Sequence, residues 1–349
     1  MKIVTFGELM LRLAPPGYGR FVQADSFGVT FGGGEANVAV SLAGFGADAA
    51  FVGKLPEHEI GQSALNSLRR YGVDTAQICR GGARLGIYYL EKGASQRPSK
   101  VIYDRAGSAF ALCTADEYDW ERILNGADWF HFTGITPALG GDLPQICLDA
   151  LHAAKRLGVR VSCDLNYRAN LWSRETAGRV MSGLMPLVDV CICNEEDAAD
   201  VFGIRAAGAD ISGGKLSHEG YIAVAEELTR RFGLSACAIT LRESRSASDN
   251  NWGALLYGQL PPKNVHDGDN AAYFSRQYSV HIVDRVGGGD SFAAGLIYAM
   301  LSGFEPQQQV EFAAAASCLK HSIEGDCNLV SAAEVLRLAG GDASGRVRR

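Results

Sequence analysis

The 349-residue sequence has no long apolar run and no marked excess of either charge. A membrane-spanning helix needs ~20 consecutive apolar residues, and no stretch approaches that, so no membrane partner is expected. Lys and Arg total 33 against 39 Asp and Glu, a formal charge of -6. The basic surface that nucleic-acid binding requires is therefore missing. MKIVTFGE reads as a first strand, not as a charged segment followed by an apolar core, so no targeting segment is expected. Nine cysteines occur without a single CxxC. An odd number in apolar contexts implies buried, reduced thiols and a cytoplasmic location. Metal ligation by Cys191 and Cys193, in VDVCICN, is the second reading, because one-residue spacing without a partner pair is not a zinc pattern. Two phosphate signatures are also missing. Gly-Lys occurs at 53–54 and 214–215, each time followed by Leu, so there is no Walker A loop, and no GxGxxG occurs. There is no internal repeat and no linker.

What remains is an alternation. KIVTFG, AAFVG, DWFHFTG, VRVSCDLN, VDVCICN and ACAITL have the short apolar runs of buried strands. Between most of them lie segments whose apolar residues recur at three and four, the spacing of helices. This predicts an α/β fold with a mostly parallel sheet covered by helices on both faces. LGIYYLEKGASQRPSKVIYDRAG breaks the rhythm as a hairpin, and LRLAPPGYGRFVQADSFGVTFGG is also strand-like, so the two are expected to pair into a small accessory sheet. SRSASDNNWG and LPPKNVHDGDNAAYFS read as exposed loops, and the terminal GRVRR as a solvated tail.

Two glycine clusters precede helices. In VGGGDSF, Gly287, Gly288 and Gly289 run into Asp290. Glycines there let backbone N–H groups approach an anion at the helix N-terminus. A carboxylate beside an anion hole suits a base that takes a proton from an attacking hydroxyl, whereas the purely structural reading is a helix cap on a flexible turn. Gly33 and Gly34, in GGGEAN, with Asn37 in the following helix, suit a hydroxyl-rich ligand, or equally a tight strand-to-helix turn.

GGGEANVAVSLAGFG and DRVGGGDSFAAGLIYAML, about 250 residues apart, resemble the two signature regions of the ribokinase-like (PfkB) carbohydrate kinases. Within that family the chain is most similar to the 2-keto-3-deoxygluconate kinases. The resemblance spans nearly the whole chain and implies one kinase domain over 1–349: a Rossmann-type sheet with a β-sheet lid from about 11–32 and 84–110. It implies ATP and Mg²⁺, a sugar-acid substrate, and a homo-oligomer formed through the lid. It makes Asp290 the base and gives Gly287, Gly288 and Gly289 the anion hole, with Gly287 and Gly289 also on the nucleotide. Gly33, Gly34 and Asn37 fall on the sugar side.

Other positions follow the family less closely. Arg285 stands where a small or β-branched residue is usual, facing either phosphates or solvent. Pro56 and His58 replace the Gly and Asp of a later turn, so His58 is read as a surface loop residue. Asn194 and Asp197 occupy the Asn-x-x-Glu site linked to Mg²⁺, the acid one methylene short; Asn194 also suits a helix cap. Thr240 and Arg242 stand where Thr-x-Gly meets the nucleotide, and Arg242 is either a phosphate contact or solvated. Tyr103 and Arg105 share a strand face, with Tyr89 on the partner strand; rings and a cation suit a polyhydroxy acid. Arg168, in DLNYR, is placed for a carboxylate, and Asp326 for sugar hydroxyls. The alternatives are fructokinase, ribokinase, 2-keto-3-deoxygalactonate kinase, or a sugar-binding regulator without turnover, which the substitutions at Asp197 and Arg242 keep open.

Overall fold

The computed structural model describes residues 1–205, 217–258 and 271–342. Strands β1 (Lys2–Phe6), β2 (Met10–Ala14), β3 (Gly28–Gly32), β4 (Asp48–Val52), β5 (Lys54–Leu55), β6 (Cys79–Arg80), β7 (Ile87–Glu91) and β8 (Lys100–Asp104) occupy the first third. They are followed by β9 (Trp129–Thr133), β10 (Arg160–Asp164), β11 (Val190–Cys193), β12 (Ala236–Ser244), β13 (Asp249–Gly258), β14 (Ala271–Phe274) and β15 (Tyr278–His281). The main sheet runs β14-β13-β12-β11-β10-β9-β1-β4, with β15 also on β13. From β12 to β4 all pairings are parallel; β13 to β15 add an antiparallel wing.

The parallel strands are largely apolar because both faces are covered. Helices α1 (Gly34–Gly44), α2 (Glu59–Arg70), α9 (Gly288–Leu301), α10 (Pro306–Lys320) and α11 (Ala332–Ala339) bury one face. On the other pack α3 (Trp120–Leu124), α4 (Ile135–Ala138), α5 (Leu143–Leu157), α6 (Arg174–Leu184), α7 (Glu195–Phe202) and α8 (His218–Phe232). A separate four-stranded sheet has the order β3-β2-β7-β8, as the paired accessory segments predict, and β5 pairs with β6 alone.

Two loop expectations are overturned. SRSASDNNWG is not an exposed loop: β12 runs on to Ser244 and returns as β13 from Asp249, with Ser244 opposite Asn250. Asn250 and Asn251 are buried, and the Asn251 amide donates to Glu243 across the hairpin at 2.8 Å. A polar run reads as loop, yet cross-strand partners satisfy it in a sheet. The end of the second expected loop is strand too: Ala271–Phe274 is β14, paired antiparallel with β13 from Gly258 opposite Ala271 to Leu255 opposite Phe274. Its residues 260–270 and the GRVRR tail lie outside the described residues.

The helices α9 and α10 are joined by a seam without side chains. A Cβ on Gly295 would meet Ala313 Cα at 2.9 Å and Ala316 Cβ at 3.1 Å. Gly→Ala inside a helix ordinarily stabilises by up to about 1 kcal/mol. Here Gly295→Ala is expected to gain nothing, and Gly295→Val to lose about 1–3 kcal/mol by overpacking, measured by denaturant unfolding. An alanine variant more stable than the parent would refute the seam.

Candidate active site

The parallel strands end at one cleft of about 780 Å³, roofed by the four-stranded sheet. Its floor holds the start of α9. Gly287, at φ 82°, is the N-cap residue, so Asp290 lies inside the first turn and caps nothing. The three glycines have separate reasons. A Cβ on Gly287 would sit 1.9 Å from the Asp326 carbonyl, and one on Gly288 would sit 2.5 Å from the His321 ring. Only Gly289 has open space before it. The N–H groups of the first helical turn have no carbonyl within the helix to bond, so they are free to serve an anion in the cleft.

Asp290 is instead gripped from the other end of the chain. The Asn37 amide donates to its Oδ2 at 2.7 Å. Burial pushes the Asp290 carboxyl up to about 6; Glu35 and Asp326 add to this, while the Asn37 bond and Arg168 oppose it. Gly33 is a glycine because Glu8 O would lie 1.9 Å from a Cβ there, and Gly32 because the Asp326 carboxylate would lie 2.0 Å away. Gly34 borders Asp290, whose Oδ1 lies 3.6 Å from where a Cβ would stand. Asn37, expected on the sugar, is thus engaged with Asp290. Glu35 is fully buried and accepts from Thr133 N, Thr133 Oγ1 and Thr136 Oγ1, pinning α1 to β9 and α4.

Three further carboxylate and amide positions follow the strand ends. Asp164, at the end of β10, is held well above the ordinary carboxylate range by burial and by Asp197 and Asp290. Asp197, pushed up to about 6 by burial, accepts from Tyr167 N at 3.1 Å, and Asn194 caps α7 by accepting from Asp197 N at 2.8 Å. Arg168 opposes the charge of Asp164, Asp197 and Asp290. Among the described residues it has no carboxylate at ion-pair distance, and Nη1 donates to its neighbour's carbonyl, Tyr167 O. Thr240, Arg242 and Arg285 also line the cleft. Arg285 is half-buried, donates to Ala247 O at 3.0 Å and lies close enough to Arg242 to feel its charge, so it faces the cleft. His58 caps α2 at the surface.

The roof corrects one residue. Tyr88, not Tyr89, pairs with Tyr103 across β7 and β8, and its ring centroid lies 6.1 Å from that of Tyr103. Adjacent strand residues face opposite sides, so Tyr89 turns outward onto Phe27. Tyr88 donates a short hydrogen bond to Asp326. Asp326 also pairs with Arg12 at 2.6 Å, and Arg12 reaches Asp284 at 2.5 Å; all three are buried. Arg105 lines the cleft but is neutralised by Glu8, 2.8 Å from its Nε, and Ser108 bonds the same carboxylate. Sequence reading missed Glu8, Arg12, Tyr88, Asp164 and Asp284. Arg12 gave no signal of this: alternating with Leu11 and Leu13 it reads as the polar side of a strand, and its acidic partners come from the far end of the chain.

Residues 1–332 match the pfkB family of carbohydrate kinases. A 2-dehydro-3-deoxygalactonokinase of Haloferax volcanii is 34% identical over 98% of both chains. The crystal structure of a 2-dehydro-3-deoxygluconokinase from Thermotoga maritima is 54% identical, with a TM-score of 0.91 over 98% of this chain and 100% of that one. A putative 2-keto-3-deoxygluconate kinase from Enterococcus faecalis superposes with a TM-score of 0.89 at 26% identity, over 100% of this chain and 99% of that one.

The environment of Asp290 sets a measurable titration. Carbon-13 NMR of its side-chain carboxyl, assigned by loss of the signal in Asp290→Asn, should show a midpoint near 6. Removing the opposing contacts in Asn37→Ala or Arg168→Ala should move the midpoint upward. A parent midpoint in the ordinary carboxylate range would mean that the cleft does not desolvate this group.

Proposed function

The chain belongs to the pfkB family of carbohydrate kinases, and on that premise we propose that it transfers the γ-phosphoryl group of ATP to the terminal hydroxyl of 2-keto-3-deoxygluconate. The observation that carries this reading is Asp290, a desolvated carboxylate held by Asn37 beside the open N-terminus of α9. A base with a pKa near 6 is ionised at neutral pH and still able to accept a proton. Asp290 takes the hydroxyl proton as the sugar oxygen bonds to phosphorus and the bond to the β-phosphate oxygen breaks, releasing ADP. The first-turn amides of α9 face the charge on the transferring group. Asn194, Thr240, Arg242 and Arg285 form the nucleotide end, the two arginines replacing glycine or smaller side chains with cations that suit phosphates.

Mg²⁺ fits the acidic corner, because Asp164 and Asp197 are buried carboxylates without an ion-pair partner among the described residues, and the charge of Asp197 makes that of Asp164 harder to hold. When bound there, Mg²⁺ supplies charge neutralisation to the phosphates. On the sugar side, Tyr103 offers ring and hydroxyl, Asp326 a carboxylate and Arg105 and Arg168 the cations for the substrate's own carboxylate. Of the two arginines, Arg168 is the less neutralised. The relative from Haloferax volcanii supports a second reading, the galactonate epimer, which the same chemistry serves.

The lid has an apolar outer face that suits a second copy of the chain. Val29, Leu13, Tyr89 and Ile102 form one row across four strands, and Val29 and Ile102 are 59% and 45% exposed. A homodimer through this face is proposed. Sedimentation should give a dimer that Ile102→Arg converts to monomer; a monomeric parent would remove this surface from the account.

ADP release measured over neutral ketoses, aldoses and 2-keto-3-deoxy acids should favour the acids. Asp290→Asn should lower kcat by about 10²–10⁴-fold while calorimetry still finds the sugar acid bound. A preference for neutral sugars would remove the carboxylate role of Arg105 and Arg168, and near-parental turnover of Asp290→Asn would remove the base.

A further inference from the structure

Spacing alone made Cys191 and Cys193 a poor pair of metal ligands, but the sheet supplies a third. Cys191 in β11 stands opposite Cys237 in β12, and Cys193, two residues on, shares their face. The three Sγ atoms lie within 4.8 Å of one another. No other group of three or more His, Cys, Asp or Glu side chains converges this closely among the described residues. All three cysteines are free thiols. The trio belongs to the core cluster that holds Ala198 and Val201 of α7, Val224 and Leu228 of α8, and Leu255 of β13. Cys193 also lines the cleft, so the cluster touches a cavity that a small solute can enter.

We propose that Cys191, Cys193 and Cys237 form a three-sulfur site for a thiophilic ion of trigonal preference, best met by trivalent arsenic. Three sulfurs without a fourth ligand exclude a closed tetrahedral zinc site. Soft thiolates select soft ions. Charge then selects among these. A divalent ion held by three thiolates is an anion, and burying it among apolar side chains is costly. Arsenous acid reacts differently: three As–O bonds break, three As–S bonds form, and each thiol proton leaves with a hydroxide as water. Nothing is oxidised or reduced, and the product is neutral, as an apolar site requires. The reaction needs entry from the cleft side, where Cys193 is reached first.

The test is arsenite binding to the folded, reduced chain in a phosphine reductant. Arsenic per chain is measured by elemental mass spectrometry after dialysis, together with near-ultraviolet sulfur-to-arsenic absorption and a titration of remaining thiols. One arsenic per chain and the loss of three titratable thiols are expected. Cys191→Ala and Cys237→Ala each leave two sulfurs without introducing a buried hydroxyl. Either should weaken binding by more than about 100-fold, since even outer-shell ligand changes cost 10–100-fold. Circular dichroism confirms that each variant is folded. Cys318→Ala, on α10, should bind as the parent does. Absence of arsenic uptake by the folded parent, or parental binding by a folded Cys191→Ala or Cys237→Ala, would overturn the site, as would loss of binding in Cys318→Ala.

Discussion

Arg12 holds two buried carboxylates at once, and the rest of the cleft is arranged around that fact. Asp284 precedes the glycine turn, Asp326 presses its carbonyl against Gly287, and Arg12 itself rises from the lid. One guanidinium thus ties the roof to both sides of the glycine turn before α9. A buried ion group contributes little net stability compared with an apolar core of the same shape, but breaking it strands a charge at a cost of about 3–5 kcal/mol. Its value here is geometric. Lys320, also buried, donates to the carbonyls of Asp284 and Ile323, which adds a second cation to the same knot.

Around this knot the charge is sorted. Asp164, Asp197 and Asp290 gather near Arg168, while Arg242 and Arg285 also line the cleft, with no carboxylate at ion-pair distance among the described residues. Like charges held together in a dry cleft raise each other's pKa, and so do the arginines in reverse: Arg285 is lowered by burial and by Arg242. Such an arrangement is electrostatically unfavourable by itself, and the proposed polyanion and cation would each offset it.

The alternating body and the lid pairing were legible because period-two and period-3.6 patterns follow from backbone geometry. Asp290 was legible because three glycines before an acid exceed what a cap requires. The partners of these groups were not. Nothing local in LRLAP says that Arg12 meets acids 272 and 314 residues away. Tyr88 and Tyr89 differ only in which face they take, and that is decided by register with β8. Gly33 and Gly34 look alike in sequence, yet one is emptied for the Glu8 carbonyl and the other faces the base. The loop expected at Asn250 proved to be a hairpin because polar composition reports on solvent only when no strand stands opposite.

The contact between Asn37 and Asp290 joins residues 253 positions apart. Seen along the growing chain rather than across the cleft, that distance orders events. Synthesis proceeds from the N-terminus, and contacts of long sequence separation close last. A nascent chain that has released everything through β12 already possesses six parallel strands and the lid, but neither Asp290 nor the carboxylates that neutralise Arg12. The floor of the cleft is then complete only when the final helices dock.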